Sequence, residues 1–133
     1  MNTNTAVLKK YLQLIENFTD DVEALKTVLN PNVEFVEHPN AINPKGQVRQ
    51  LVQALKGLEM GRKILAWQKY EIKEILESGN RFFVEVLWSG QVAVDVGHLK
   101  KDQKLTAHCA MRFDFENGKI IRQVNYDCYE PFA

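Results

Sequence analysis

The first part of the chain carries apolar residues at helical spacing. Over residues 4–18, leucine, isoleucine and aromatic side chains recur every three or four positions, a pattern typical of an amphipathic helix. We expect a second helix to begin near Asp20, because Asp20 and Glu23 have the spacing of a capping box. Asn30-Pro31 should end that helix, since the residue before a proline disfavours helical backbone.

A short strand and a third helix are expected next. Residues 33–37 are rich in β-branched and aromatic side chains, which favours a strand. A turn over residues 39–46 follows, in which Asn43 is a candidate cap and Pro44 a candidate first residue of the third helix. The apolar face of this helix is expected to carry Val48, Leu51, Val52, Leu55 and Leu58.

From Ile64 onward the apolar period changes from helical spacing to two. This pattern predicts strands at about 65–77, 81–96, 104–116 and 119–127. Asn117-Gly118 is the strongest hairpin signal between them. The sequence therefore predicts an α+β fold, in which three helices cover one face of a strongly curved, mostly antiparallel sheet and leave a pocket. No repeat or linker interrupts residues 1–133, so we expect a single domain.

Two of the late strands supply candidate pocket side chains. One face of strand 104–116 is expected to line the pocket with Ala107, Cys109, Met111 and Phe113. On strand 119–127, Gln123, Asn125 and Asp127 share one face. If that face is turned inward, the three side chains form a polar ladder that orients a ligand, and burial raises the pKa of Asp127. If it is turned outward, the ladder is ordinary solvent-facing surface.

Composition and charge narrow the class of protein. Hydrophobic residues make up 45% of the chain and charged residues 26%, which indicates a folded globular domain. Lys and Arg together number 17, the same as Asp and Glu, which argues against a general nucleic-acid binder. The sequence contains no bilayer-length apolar run and no recognisable secretory signal. We therefore expect a cytoplasmic protein that binds neither membrane nor nucleic acid.

Cysteine and histidine spacing gives no sign of a metal site. The chain has two cysteines, Cys109 and Cys128, and three scattered histidines. They form neither a C-x-x-C nor an H-x-x-x-H pattern, so no metal ligand set is predicted. In the expected compartment both thiols should be reduced.

His38 and Tyr11 are candidate site residues with two interpretations each. His38 ends strand 33–37 and precedes Pro39, where it is either an acid–base group at a cavity mouth or a hydrogen-bonding turn residue. Tyr11 lies on the apolar stripe of the first helix. Its hydroxyl either bonds locally beside a packed ring or donates to a ligand.

The order of the elements and two short segments resemble the NTF2-like superfamily, and within it the SnoaL-like domains. Glu37-His38-Pro39 ends the first strand, and 124-VNYDCYEPF-132 ends the last. The resemblance implies a conical fold with a deep apolar pocket, and many members are homodimers. The superfamily includes ketosteroid isomerases, polyketide cyclases, epoxide hydrolases, dehydratases and plain binding domains, so the fold does not select the activity.

The resemblance also implies roles for particular residues. Ketosteroid isomerases carry an oxyanion-binding tyrosine on the first helix, which Tyr11 matches, and a base at the end of the first strand, where His38 replaces an aspartate. Their second aspartate corresponds to Ala110 or Met111 here, so that donor is missing. SnoaL-like cyclases use an acidic residue of the late strands, for which Asp127 is the best candidate.

We therefore expect an isomerase, cyclase or hydratase that acts on a small, largely apolar carbonyl or cyclic compound without metal or cofactor. His38 and Asp127 would be the acid–base pair, with Tyr11 and Asn125 as hydrogen-bond donors. The remaining expected ligand contacts are Gln123, Met111, Phe113, Cys109, Phe18, Phe35 and Leu55. A homodimer through the outer sheet face is also expected. Two alternatives stay open, a dimeric binding module without catalysis and a protein-interaction platform.

Overall fold

The computed structural model describes residues 3–132. Its helices are α1 (Thr3–Glu16), α2 (Val22–Lys26) and α3 (Leu51–Ile64). Its strands are β1 (Leu29–Glu37), β2 (Gln47–Gln50), β3 (Leu65–Ser78), β4 (Arg81–Val92), β5 (Lys104–Glu116) and β6 (Lys119–Tyr129).

All six strands form one sheet in the order β2-β1-β6-β5-β4-β3. Every neighbouring pair is antiparallel except β1 and β6, which run parallel. Bulges interrupt the pairing of β3 with β4 and of β5 with β6, and bulges bend a sheet and increase its twist. The predicted α+β fold, with helices against a curled and mostly antiparallel sheet, is confirmed.

The core lies between α1 and the inner face of the sheet. On β4 the inward side chains of Phe82, Val84 and Val86 are buried, whereas Phe83 between them is half exposed. The predicted period of two also holds on β5, where alternate residues from Leu105 to Phe115 are buried. By contrast α3 buries no side chain completely. Its apolar face is turned toward an open space above the sheet.

Several predicted boundaries were wrong by a few residues. Helix α1 ends at Glu16, and α2 is capped by Asp21, whose Oδ1 accepts from the backbone N–H of Ala24 at 3.0 Å. The fourth strand ends at Val92 rather than at residue 96. Strand β1 begins before Pro31 because that proline falls within an irregular stretch of the pairing with β6, where a missing N–H costs no ladder bond.

The start of the third helix was also wrong, and this error affects the site. Residues 47–50 form β2, which pairs with residues 34–37 of β1. Val48 is therefore a strand residue and not part of a helical face. Gln50, rather than Asn43, caps α3, and its backbone N–H donates to Oε1 of Gln53 at 3.0 Å.

Candidate active site

A cavity of about 300 Å³ lies between α1, α3 and the inner face of the sheet. Its apolar walls come from the two helices and from β1, and its polar wall comes largely from β6. Of the eleven site residues predicted from the sequence, nine line this cavity: Tyr11, Phe18, Phe35, Leu55, Cys109, Met111, Gln123, Asn125 and Asp127. His38 and Phe113 do not, and neither does Ala107, which was also expected on the pocket face of β5 but is buried in the core.

A bulge in β6 helps to turn its polar face inward. The pairing of β5 with β6 shifts between Phe115–Ile120 and Asp114–Arg122, so Ile121 is an extra residue on β6. Ile120 and Gln123 are therefore both buried, at 0% and 7% exposure. On a regular strand Ile120 would lie on the face opposite Gln123, and the bulge brings both side chains to the inner face.

The polar ladder is joined to α1 by a chain of hydrogen bonds. The hydroxyl of Tyr11 donates to Oε1 of Gln123 at 2.6 Å. Nε2 of Gln123 donates to Oδ1 of Asn125 at 2.8 Å, and Nδ2 of Asn125 donates to Oδ1 of Asp127 at 3.4 Å. Every donor in this chain points toward Asp127, so the carboxyl group is the final acceptor.

The carboxyl group of Asp127 is partly buried, and its pKa is raised. Burial raises the pKa of its carboxyl group, and the negative charge of Glu37 raises it further. Hydrogen bonds from Cys109 and Asn125 oppose these effects only in part. A carboxylate whose pKa is raised toward neutrality is a stronger base than an exposed one, which suits general acid–base chemistry.

Two tyrosines that the sequence interpretation missed stand near this carboxyl group. Tyr70 and Tyr129 line the cavity, and the charge of Asp127 contributes to raising the pKa of both phenols, after the larger effect of burial. Each phenol therefore keeps its proton. Within residues 3–132 neither hydroxyl has a hydrogen-bond partner, so both are available as donors to a ligand. Tyr70 lies within predicted strand 65–77, and Tyr129 continues the alternation of Gln123, Asn125 and Asp127 two residues beyond the predicted end of the last strand, so the period of two was the signal that could have found them.

His38 lies outside the cavity wall. Its ring stacks on Tyr126, with ring centroids 4.5 Å apart, and its backbone N–H donates to the carbonyl of Asn125. His38 follows the last residue of β1, Glu37, whose side chain lines the cavity, and alternation along an extended chain favours the opposite direction for the next side chain. The expected position of His38 at the cavity wall is therefore corrected, and its role as a base stays a prediction.

Phe113 lies one layer beneath the cavity. It is fully buried and meets Tyr11 edge to face, with ring centroids 6.0 Å apart. Phe113 therefore supports the tyrosine at the start of the hydrogen-bond chain instead of lining the space itself.

Arg49 is a further cavity residue that the sequence interpretation missed. It was hidden because residues 48–58 were assigned to a helix, where position 49 lies off the apolar face. As a residue of β2 it shares the inner face with its register partner Phe35.

Two further observations concern metals and membranes. Among residues 3–132 no group of three or more His, Cys, Asp and Glu side chains is arranged to hold a metal ion. None of the helices in that range is long and apolar enough to span a bilayer. The expected cytoplasmic location stays a prediction.

The sequence of the chain matches one protein family. A family model for the SnoaL-like domain matches residues 8–123, which is most of the chain. The protein therefore belongs to the SnoaL-like domain family, as the resemblance implied. No protein of curated function matches the sequence.

Solved structures with the same fold extend over almost the whole chain. IdmH from Streptomyces antibioticus, for which polyketide cyclase activity is proposed, is 11% identical with a TM-score of 0.78, over 95% of this chain and 92% of that one. A proposed SnoaL-like polyketide cyclase from Jannaschia sp. CCS1 is 12% identical with a TM-score of 0.76, over 94% and 85%. AclR from Streptomyces galilaeus, a proposed hydroxylase, is 13% identical with a TM-score of 0.74, over 93% and 77%. At these identities the likeness shows the fold alone.

The raised pKa of Asp127 predicts a pH-dependent effect of the substitution Asp127→Asn. A carboxyl group whose pKa is higher in the folded state stabilises the fold below its unfolded pKa, near 3.8, and loses that contribution as pH rises through the folded pKa. Asparagine does not ionise. We expect Asp127→Asn to raise the melting temperature relative to wild type at about pH 7, and this gain to shrink toward about pH 4.

Thermal melts at the two pH values measure this effect. Asp20→Asn, at an exposed position, is the matched control and should show no comparable pH-dependent gain. A variant of Asp127 that melts with the wild type at both pH values would contradict the assigned burial effect.

Proposed function

We propose that this protein binds a small, largely apolar carbonyl compound in its cavity and catalyses a proton transfer in which Asp127 is the acid–base group. The hydrogen-bond chain from Tyr11 to Asp127 carries the proposal. It supports a carboxyl group that is oriented, partly desolvated and turned into a space large enough for a ligand. Such a chain costs conformational freedom and is not needed to fill a core.

The proposed step is proton removal next to a carbonyl group. A carboxylate oxygen of Asp127 takes the proton, the C–H bond breaks, and its electron pair moves to the carbonyl oxygen to form an enolate. Tyr70 and Tyr129 are the proposed donors to that oxygen, since their protonated hydroxyls have no partner among residues 3–132. Return of the proton from Asp127 to another carbon of a conjugated enolate completes an isomerisation. In a cyclisation the enolate carbon forms a bond to a second carbonyl carbon, and the resulting alkoxide takes the proton back from Asp127.

Tyr11 has a different part in this proposal from the one that the resemblance implied. Its hydroxyl is already committed to Gln123, so we propose that it positions the ladder and does not contact the substrate. His38 is given no step, because its ring lies against Tyr126. Met111 lines the cavity where ketosteroid isomerases have a second acid, which supports a different donor set and disfavours steroid isomerisation.

Hydrogen exchange of a ketone probe tests the proposal without knowledge of the natural substrate. The probe is 2-indanone in deuterated buffer, with deuterium incorporation beside the carbonyl followed by NMR. Wild-type protein is expected to accelerate the exchange, and Asp127→Asn is expected to lower that acceleration by about 100-fold or more, the usual contribution of a general base.

His38→Ala is the matched control for this experiment. Its exchange rate should equal that of wild type if Asp127 is the base. Loss of exchange in His38→Ala with activity kept in Asp127→Asn would contradict the proposal and restore the sequence-based assignment. Binding of 2-indanone with no acceleration by wild type would favour a binding module without catalysis.

We also propose that the protein is a homodimer through the outer face of its sheet. Phe83 and Leu76 are cross-strand partners on that face, 50% and 59% exposed, beside a groove of about 450 Å³. Arg81 and Glu85 flank Phe83 on the same side of β4. Arg81 already pairs with Asp114 of its own chain at 2.8 Å. A two-fold axis through Phe83 and perpendicular to β4 would also set each Arg81 opposite a Glu85, which makes the face complementary to a second copy of itself.

Sedimentation equilibrium at micromolar concentration tests the dimer. Phe83→Glu should give monomers, whereas Val52→Glu, an exposed apolar position on α3, should leave the dimer intact. Glu85→Arg should weaken association, and adding Arg81→Glu should restore it. A monomeric wild type would contradict the proposal.

A further inference from the structure

Arg49 places a positive charge at one end of the cavity. The register of the sheet aligns Arg49 with Phe35, and Phe35 with Gln123, across β2, β1 and β6. All three side chains line the cavity. Arg49 therefore lies on the same inner face as the polar ladder, near its Tyr11 end.

The guanidinium group of Arg49 has no protein partner among residues 3–132. Its Nε is buried without a hydrogen-bond acceptor, and none of the ion pairs in that range involves it. A buried donor without an acceptor is costly, so an unpaired arginine facing a cavity is best explained by an acceptor that the ligand supplies.

Gly57 makes room for this arrangement. A Cβ at that position of α3 would collide with Nη1 of Arg49. Glycine within a helix destabilises the helix relative to alanine. At position 57 it leaves room for the guanidinium of Arg49 to lie against α3 at the cavity wall.

The two ends of the cavity differ in charge. The positive charge of Arg49 acts on Tyr11, whereas the negative charge of Glu37 acts on Asp127 and Tyr129. The carboxylate of Glu37 is already occupied, because its two oxygens accept from Nδ2 of Asn40 and Nε2 of Gln47. Among residues 3–132 Arg49 forms no ion pair with Glu37, so it remains available to a ligand.

We infer that the ligand carries a carboxylate, which Arg49 binds, with the reacting carbonyl at the Asp127 end. This inference rests on the proposed function and names its substrate class as an apolar oxo acid. The planar guanidinium matches a carboxylate with two parallel hydrogen bonds. Within residues 3–132 Arg49 is the one cation that lines the cavity, which suits a single negative charge better than the nearly double charge of a phosphate monoester.

A pair of isosteric probes tests the inference by calorimetry. Wild type should bind 2-naphthoate at least about tenfold more tightly than 2-naphthamide, because only the acid forms charge-assisted bonds with Arg49. Arg49→Gln should remove this preference while the affinity for the amide stays within about twofold. Arg49→Lys should keep part of the preference, since it retains the charge but loses the planar fork.

Arg122→Gln is the matched control. Arg122 is a cation of the outer sheet face, paired with Glu34 at 3.4 Å. Its loss removes the same charge from the protein without altering the cavity, so the preference for the acid should stay as in wild type. An equal fall in Arg122→Gln would show that net charge, and not Arg49, sets the preference, and would overturn the inference.

The probes also distinguish failure of the carboxylate inference from failure of the proposed function. Equal affinity of wild type for acid and amide would overturn the carboxylate inference and leave the proposed cavity and its proton transfer standing. No binding of either probe, together with no exchange of 2-indanone, would overturn the proposed function and the inference with it. The comparison of acid and amide affinities uses only the wild-type protein, so it does not depend on whether a variant folds.

Discussion

The structure depends on keeping a polar ladder satisfied inside an apolar cavity. Gln123 is buried among aromatic and aliphatic side chains, and a buried amide without partners would be strongly destabilising. The hydroxyl of Tyr11 supplies one partner from α1, and Asn125 supplies the other along β6. This chain ties the first helix to the last strand, and it orients the partly buried carboxyl group of Asp127, which carries the proposed chemistry.

The same constraint separates the cavity into two ends with different properties. Near Tyr11 the wall is basic, because Arg49 reaches it from β2. Near Asp127 the wall is acidic and rich in phenols, and the carboxylate of Glu37 accepts hydrogen bonds from Asn40 and Gln47. The ligand that we infer, with a carboxylate at one end and a carbonyl at the other, matches both ends of the cavity. The fold is that of the family, whereas the difference in charge between the two ends of the cavity comes from residues of this chain.

The sequence predicted the strands of the second half well because period two is a strong signal wherever one sheet face is buried. The sequence also predicted the polar ladder, but not which face of the sheet the ladder occupies. An inward polar face needs a hydrogen-bond partner, and that partner, Tyr11, lies 112 positions away from Gln123 in the chain. Arg49 was missed because Val48 fits a helical stripe as well as a strand. His38 was assigned to the cavity wall, whereas its neighbour Glu37 lines the cavity, and alternation along an extended segment favours only one of two adjacent side chains on one face.

The central claim is that burial and the ladder prepare the carboxyl group of Asp127 for proton transfer. A carbon-detected NMR titration of the side-chain carboxyl signals, with Asp127 assigned from the spectrum of Asp127→Asn, measures this directly. We predict a midpoint for Asp127 clearly above the ordinary value of 3.8. A midpoint at or below that value would contradict the claim.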